Sequence, residues 1–187
     1  SAASDVVRDL QDAGFEAFIV GGSVRDLLLG KAPKDFDVAT SATPEQVQDV
    51  FPRCRLIGRR FRLAHVRKRG ALIEVATFRC EADYRDARHP HRVRFATLEE
   101  DAARRDFTIN ALFYDIADFS IIDYVGGLAD LEAHRLKVIG DPLVRFTEDP
   151  VRMLRALEFS CQMIRAFSFQ NINRRTATQL NDGTVDM

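Results

Sequence analysis

Apolar residues in the first half of the chain follow helical and strand spacing in turn. Val6, Val7 and Leu10 recur at helical intervals ahead of Gly14, which predicts a helix that ends there. Phe15–Val20 (FEAFIV) is largely apolar and predicts a buried strand. The same reasoning predicts a helix over Ser23–Leu29 capped by Ser23, a strand over Lys34–Ala39, a helix opening at Thr43-Pro44, and strands over Arg53–Ile57, Leu63–Arg67 and Leu72–Phe78.

The second half is less regular. Cys80–Phe95 is polar and without a period, which predicts a mobile loop. The pattern from Asp149 to Met163 predicts a helix whose inward face carries Val151, Leu154, Leu157 and Cys161. We also predict a helix over Glu99–Arg105, strands over Leu112–Ile116 and Ser120–Tyr124, a turn at Gly126-Gly127, and no definable element over residues 164–187. Strands that alternate with helices indicate an α/β (α+β) fold, a mixed sheet with flanking helices.

The composition is that of a globular protein, with 46% apolar and 29% charged residues in a chain of 187. Three widely spaced cysteines with no CxxC pair favour reduced thiols over a disulfide or zinc framework. The first dozen residues are charged, and no run of about eighteen apolar residues occurs. We therefore expect a cytoplasmic protein.

A basic segment stands out against the net charge of −1. Between Phe51 and Ile73 there are eight Lys and Arg residues and no acidic one. Such a block suits the phosphate backbone of a nucleic acid, with Arg59, Arg60 and Arg62 as candidate contacts. A solvated basic face is the alternative.

Asp35-Phe36-Asp37 is the first candidate for chemistry. In a strand, two aspartates separated by one residue project to the same side, roughly 6–7 Å apart. Such a pair can bridge two divalent ions about 3.5–4 Å apart, and carboxylate oxygens favour Mg²⁺. An isolated DxD is a weak signal, because exposed structural DxD turns are common.

The Gly21-Gly22 turn strengthens that signal, because it lies between the two strands. Glycine lets a backbone approach a phosphate closely, and the following helix would offer free N–H groups. Ser23 adds a hydroxyl and Arg25 a guanidinium group on the first turn. A strand, a Gly-Gly-Ser turn, a helix and a strand-borne DxD together are much more specific than either motif alone.

Other charged residues interrupt apolar runs. Glu74 lies within ALIEVA, either as a third metal ligand or at a solvent-facing position. Arg105 and Asp106 precede an apolar run, either to bind a triphosphate and ribose or as part of a salt bridge of their own. Asp149 opens a helix that carries Arg152 and Arg155 about one turn apart; helix-dipole complementarity is the alternative for the carboxylate.

Three segments together resemble one protein family. They are GGSVRDLLLGKAPKDFDVAT, RRDFTINALFY and EDPVRMLRALEF, in that order. They are similar to motifs of the class II nucleotidyltransferases of the DNA polymerase β-like superfamily, which include bacterial poly(A) polymerases and tRNA CCA-adding enzymes. The stretch LIGRRFRLAHV, with KDFDVATSATPEQV before it, most resembles the poly(A) polymerases.

The resemblance implies a role for each matching residue. Asp35 and Asp37 would be the catalytic pair that binds two Mg²⁺ ions, with Mn²⁺ as the substitute ion. Asp106 would be a further active-site carboxylate, and Asp149 with Arg152, assisted by Arg155, would bind the base edge of the incoming nucleotide. The nucleotide-binding set would be Gly21, Gly22, Ser23, Arg25, Arg105, Asp149, Arg152 and Arg155, with Glu74 as a tentative metal ligand and Arg59, Arg60 and Arg62 as tentative RNA contacts.

The resemblance also implies a domain plan and a reaction. Residues 1–140 would form a polymerase β-like catalytic head, and residues 141–187 the start of an incomplete helical neck. The expected reaction is template-independent transfer of AMP from ATP to the 3′ end of an mRNA or other RNA. CCA or A addition to tRNA is the nearest alternative, and a non-catalytic RNA-binding protein on the same fold is the distant one. Family members usually continue into further helical domains, and residues 164–187 do not match the family's neck sequence.

Overall fold

The computed structural model describes residues 1–58, 63–79 and 96–163. The chain divides into two compact units, Ser1–Asp141 and Pro142–Met187. This boundary lies beside the one predicted between a catalytic head and a helical neck, although the division alone assigns neither role. Within the described residues, no helix is both long enough and apolar enough to span a bilayer.

The first unit is built on a seven-stranded mixed sheet. In spatial order β3-β4-β5-β2-β1-β6-β7, strand β2 is parallel to β5 and all other neighbours are antiparallel. The mixed α/β architecture predicted from the sequence is confirmed. The strands are β1 (Ala17–Val20), β2 (Asp37–Thr40), β3 (Cys54–Ile57), β4 (Leu63–Lys68), β5 (Ala71–Thr77), β6 (Leu112–Tyr114) and β7 (Ile121–Asp123).

Within the described residues, five helices of the first unit flank this sheet, and two helices follow in the second unit. They are α1 (Ala2–Asp12), α2 (Gly22–Leu28), α3 (Pro44–Val50), α4 (Leu98–Ala103), α5 (Gly127–Glu132), α6 (Pro142–Glu148) and α7 (residues 151–163), with a 3-10 turn over Thr108–Asn110. Both α3 and α4 start with a capping box, in which the side chains of Thr43 and Thr97 accept backbone N–H bonds. Helix α1 buries the face that its sequence pattern predicts.

An aromatic cluster fixes α4 against the sheet beside the site described below. Phe18 stacks on Phe78 with ring centroids 6.3 Å apart, and its edge meets Phe113 at 6.4 Å. Leu98 and Ala102 of α4 belong to the same buried cluster. This cluster therefore fixes the position of α4, and of the residues that follow it, relative to β1 and β6.

Two predictions near the first turn were wrong in detail. Asp35 precedes β2, because β1 ends at Val20, opposite Asp37, and offers no ladder partner beyond it. Ser23 does not cap α2: the cap is Gly21, and the Ser23 hydroxyl donates to the Val20 carbonyl at 3.1 Å. The cap lies two residues earlier than predicted because a glycine with positive φ can turn the chain directly after the strand.

Two further differences concern helices. The Gly126-Gly127 turn opens α5, a helix that was not predicted; Asp123 holds it by accepting the backbone N–H groups of Val125 to Leu128. Helix α7 was predicted, but its apolar residues were wrongly placed inward. Val151, Leu154 and Leu157 are 56–67% exposed and Cys161 is exposed. An amphipathic pattern indicates which face is apolar, and not that a neighbour covers it.

We predict that Gly127→Ala destabilises the first unit. A Cβ at Gly127 would overlap the backbone carbonyl of Thr108, the first residue of the 3-10 turn. Overpacking against fixed backbone should lower the free energy of unfolding by about 3 kcal/mol. Urea unfolding followed by circular dichroism measures the change. Gly126→Ala is the control: its φ of +82° is strained for alanine but its Cβ meets nothing within 4 Å, so a loss of only about 1 kcal/mol is expected. Equal losses in the two variants would contradict this.

Candidate active site

Strand register brings the Gly-Gly turn and the second aspartate of the DxD motif together. Val20, the last residue of β1, is opposite Asp37, and Asp37 is opposite Glu74 on β5. Directly opposite residues project to the same face of a sheet. Gly21 and Gly22 follow Val20, so the turn lies beside the Asp37 carboxylate.

Gly21 lies at the centre of this arrangement. Its backbone (φ 78°, ψ −139°) lies in a region that favours glycine, and its N–H donates to the Leu112 carbonyl at 3.2 Å. A Cβ on Gly21 would be 3.7 Å from Arg105 Nη1, 3.8 Å from the Asn110 carbonyl oxygen and 4.0 Å from Asp37 Oδ2. The missing side chain therefore leaves a small space bordered by a carboxylate and a guanidinium group.

Electrostatics single out Asp37. Asp37 is exposed as a whole residue. Protein nevertheless surrounds much of its carboxylate, and the resulting desolvation is the largest cause that raises its pKa above 3.8. Glu74 and Asp35 raise the pKa further by charge repulsion, and Arg105 opposes them. Carboxylates that raise one another's pKa are held closer than their charges favour. A divalent cation would relieve that repulsion, so the donor set of Asp35 and Asp37 fits Mg²⁺ or Mn²⁺.

Glu74 makes a different contact. Its Oε1 lies 3.3 Å from His65 Nε2, in the neighbouring strand β4. Across the described ranges, no three His, Cys, Asp or Glu side chains gather into a group that could hold a metal. Mg²⁺ is commonly bound by one or two carboxylates plus substrate phosphates, which the aspartate pair can satisfy. A ligand role for Glu74 stays a prediction.

Arg25 packs against the backbone of the Gly21-Gly22 turn. The residue is 5% exposed, its Nη1 donates to Asn110 Oδ1 at 2.8 Å, and its Nε and Nη2 donate to Asp26 Oδ1. A Cβ on Gly22 would touch Arg25 Nη2 at 3.5 Å. The guanidinium group thus lies directly behind the backbone of the turn, where it adds positive charge to the site and stiffens it.

Arg105 is held on two sides. Its Nε and Nη2 donate to Asp101 Oδ2 at 3.2 and 2.9 Å, and its guanidinium carbon lies 5.1 Å from the centre of the Phe113 ring. Asp106 lies next to it in sequence, and its carboxylate accepts the N–H of Phe107 at 2.7 Å. The carbonyl of Asp106 accepts the N–H of Ile139 at 2.9 Å. Arg105 Nη1 lies near the Gly21 turn, whereas the carboxylate and the carbonyl of Asp106 accept hydrogen bonds from the backbone of Phe107 and Ile139.

Two residues that hold this site were not predicted. Asn110 is buried and accepts a hydrogen bond from Arg25, and Asp101 is buried and accepts hydrogen bonds from Arg105. Both left a signal in the sequence. Asn110 is an amide inside an apolar run, and Asp101 stands three and four residues before two arginines, the spacing of helical ion pairs.

In the second unit, the three residues predicted to bind the base edge lie together. Asp149 Oδ2 is 3.9 Å from Arg152 Nε and 3.4 Å from Arg155 Nη2. Asp149 Oδ1 accepts the N–H of Val151 at 3.1 Å, and Arg152 Nη1 donates to the Arg145 carbonyl at 2.7 Å. The carboxylate therefore caps α7, where it also complements the helix dipole, and it pairs with arginine as well; the helix-dipole alternative and a base-binding role are thus compatible.

The predicted nucleic-acid contacts Arg59, Arg60 and Arg62 lie outside the described residues. Among the described members of the same basic segment, Arg55 on β3 and Arg67 on β4 are exposed. Arg55 is opposite His65, and His65 is opposite Glu74. The Arg55 and Arg67 side chains are thus on the sheet face that also carries Asp37.

Comparison with known proteins places these motifs in a family. Residues 17–137 match the family model described as the poly(A) polymerase head domain. Poly(A) polymerase I of Haemophilus influenzae is 53% identical over 86% of this chain and 38% of its own. The CCA-adding enzyme of Lactobacillus helveticus is 46% identical over 86% of this chain and 40% of its own.

A solved structure agrees with the fold. The Bacillus stearothermophilus CCA-adding enzyme in complex with CTP superposes with a TM-score of 0.75 and 38% identity, over 84% of this chain and 38% of that one. The chain thus spans about two fifths of the length of the curated relatives it matches.

The raised pKa of Asp37 predicts how stability depends on pH. The folded chain binds the Asp37 proton more tightly than the unfolded chain, so this group lowers stability as pH rises from 3.8 to its folded pKa. At pH 7 in EDTA, Asp37→Asn should therefore have a higher free energy of unfolding than the unsubstituted chain. The gain should vanish below the pKa of an ordinary aspartate, as measured by urea unfolding across pH.

The control for that measurement is Asp9→Asn. It removes an ion pair in which Lys68 Nζ lies 2.6 Å from Asp9 Oδ2, so it should not stabilise the chain at any pH. Equal responses of the two variants would show that the stabilisation is not specific to the repulsion at Asp37.

Proposed function

The chain belongs to the poly(A) polymerase head-domain family, and from that premise we propose that it transfers AMP from ATP to the 3′ end of RNA. The observation that carries the proposal is the meeting of the Gly21 turn, the Asp37 carboxylate and the Arg105 guanidinium group within about 4 Å of one missing Cβ. These three features suit a phosphate that is bound to a cation. The backbone can approach the phosphate closely, the carboxylate can bind the cation, and the guanidinium group can donate hydrogen bonds to the phosphate oxygens.

The roles of the chain's residues follow from that geometry. Asp35 and Asp37 would hold Mg²⁺, which when bound lowers the pKa of the attacking hydroxyl and neutralises charge on the departing pyrophosphate. Gly21 admits the triphosphate close to the backbone. Arg105 offers its Nη1 corner to phosphate oxygens, and buried Arg25 adds positive charge from behind the turn.

Nucleotide choice is assigned to the second unit. We infer that Asp149 and Arg152, assisted by Arg155, bind the edge of the incoming base. A carboxylate accepts from an exocyclic amino group and a guanidinium group donates to ring nitrogen or carbonyl oxygen, so the cluster offers both kinds of partner. Its internal ion pairs keep the three side chains together before a base arrives.

Polyadenylation is preferred to CCA addition on two grounds. The basic segment that includes Arg59, Arg60 and Arg62 resembles the poly(A) polymerases in sequence. Identity is also higher to the Haemophilus poly(A) polymerase, at 53%, than to the Lactobacillus CCA-adding enzyme, at 46%. CCA or A addition to tRNA remains the second candidate, supported by the 38% identity to a CCA-adding enzyme of known structure. A non-catalytic RNA-binding role on the same fold, the distant candidate, is disfavoured, because the desolvation and repulsion at Asp37 lower stability and RNA binding alone needs no such pair of carboxylates.

Incubation with a short RNA and each nucleoside triphosphate separately tests the proposal. With ATP and Mg²⁺ a ladder of extended products is expected, and Asp37→Asn should slow transfer by about a thousandfold or more, since several kcal/mol of charge stabilisation is lost. Because that variant is expected to be stably folded, its inactivity would report on chemistry. Incorporation of CTP into tRNA that lacks its 3′ end would favour the second candidate, and full activity of Asp37→Asn would defeat both.

Arg152→Ala should relax the choice among ATP, CTP and GTP. Loss of one charge-assisted hydrogen bond to the base corresponds to about tenfold or more in relative kcat/KM. The measurement is kcat/KM for each nucleotide in the unsubstituted chain and the variant, with thermal unfolding to separate selectivity from stability. Glu148→Gln, which removes a 3.5 Å ion pair to the same guanidinium group, is the control and should leave the ratios unchanged. Unaltered ratios in Arg152→Ala would assign base choice elsewhere.

A further inference from the structure

Asp101 is a buried carboxylate with an unusual number of donors. It lies on α4, is 1% exposed, and neighbours Ala102 of the aromatic cluster. It accepts five hydrogen bonds: from Nε and Nη2 of Arg104, from Nε and Nη2 of Arg105, and from the backbone N–H of Arg79. A buried carboxylate strongly lowers the free energy of unfolding unless hydrogen-bond donors surround it in this way. The same hydrogen bonds restrict the positions of the arginine side chains that donate them.

The two carboxylate oxygens have different neighbours. Oδ1 bonds Arg104 at 2.6 and 2.8 Å and the backbone N–H of Arg79 at 3.2 Å, directly after β5 and Phe78. Oδ2 bonds the Nε and Nη2 atoms of Arg105. One oxygen thus anchors the carboxylate to the sheet, and the other orients Arg105.

That orientation leaves one corner of Arg105 directed at the site. The Nε–Nη2 edge is bonded to Asp101 and the flat face lies over Phe113, so the plane and rotation of the guanidinium group are both determined. The remaining corner, Nη1, is the atom that lies 3.7 Å from the missing Cβ of Gly21. A lysine could not reproduce this, because its ammonium group has no fork.

We propose that Asp101 is a positioning residue for nucleotidyl transfer: by binding the Nε–Nη2 edge of Arg105, it directs Nη1 at the Gly21 turn. A triphosphate then meets a donor that is oriented before binding, which reduces the ordering needed on association. This inference rests on the proposed function, since it assigns Arg105 to the triphosphate.

A double-mutant cycle separates positioning from stability. KM and kcat for ATP, and the Kd of Mg²⁺–ATP by calorimetry, are measured for the chain, Asp101→Asn, Arg105→Gln and the double variant. If Asp101 acts through Arg105, Asp101→Asn raises KM and Kd about tenfold with a smaller change in kcat. In the Arg105→Gln background the same substitution then has almost no further effect.

Asp5→Asn is the matched control. Asp5 also joins two arginines, with Arg69 Nε at 2.7 Å and Arg8 Nη1 at 3.5 Å, and its side chain is only 13% exposed. It lies on α1, and neither arginine belongs to the site. The control is expected to change thermal unfolding without raising the Kd of Mg²⁺–ATP.

Several results would overturn the proposal. They are an unchanged Kd in Asp101→Asn, a rise no larger than in Asp5→Asn, or effects of Asp101 and Arg105 that simply add. If Asp101→Asn fails to fold, Arg105→Lys replaces it: the charge stays but the fork is lost, so Kd should rise about tenfold, and an unchanged Kd refutes the proposal. A chain that binds Mg²⁺–ATP with this pattern but transfers nothing to RNA would contradict the proposed function and leave the positioning role supported.

Discussion

The pairing of three central strands is the constraint on which the rest of the site depends. Val20, Asp37 and Glu74 form one row across β1, β2 and β5, and the chain turns at Gly21 immediately after the first of them. The row places two carboxylates side by side on one face, where desolvation first and then repulsion by Glu74 raise the pKa of Asp37. Backbone hydrogen bonds of the sheet hold the row together against this repulsion, since the side chains alone would move apart.

Buried polar groups then bring positive charge up to that row. Asn110 and Asp26 orient Arg25 behind the turn, and Asp101 orients Arg105 beside it. Both arginines approach from outside the three-strand row, on α2 and after α4. The sheet therefore supplies the negative charges and the helices supply the positive ones, and the glycine turn is where they meet. The aromatic cluster under α4 helps to keep this arrangement, because a shift of α4 would move the Arg105 guanidinium group relative to the carboxylates.

Much of this could be predicted from the sequence, for reasons that are local. The sequence pattern located each strand of the described residues, and Thr43-Pro44 marked the start of α3. The position of Asp35 could not be predicted, because it depends on where β1 ends, a property of the neighbouring strand. Helix α5 was missed for a similar reason: its start is stabilised by Asp123, at the end of another strand.

The candidate site shows the same limit. Motifs singled out Asp37 and Arg105 because charged residue types are unusual where they stand, and the structure brings both close to Gly21. Asp101 and Asn110 were overlooked because each acts through another side chain, and only tertiary contacts reveal which one. Likewise, the pattern of α7 correctly marked an apolar face but not its exposure, which depends on what lies against it.

The unequal setting of the two aspartates bears on how such a site can work repeatedly. Asp37 is fixed by ladder pairing on both sides, to β1 and to β5. Asp35 precedes the strand and is exposed, so its backbone is not fixed by the ladder. Under the proposed function, the ladder would define the position of the Asp37 carboxylate, and Asp35 could adjust to a bound cation. A DxD motif that straddles the start of a strand thus combines one carboxylate on a ladder-paired residue with one outside the ladder, whereas two aspartates inside the strand would both be held by it.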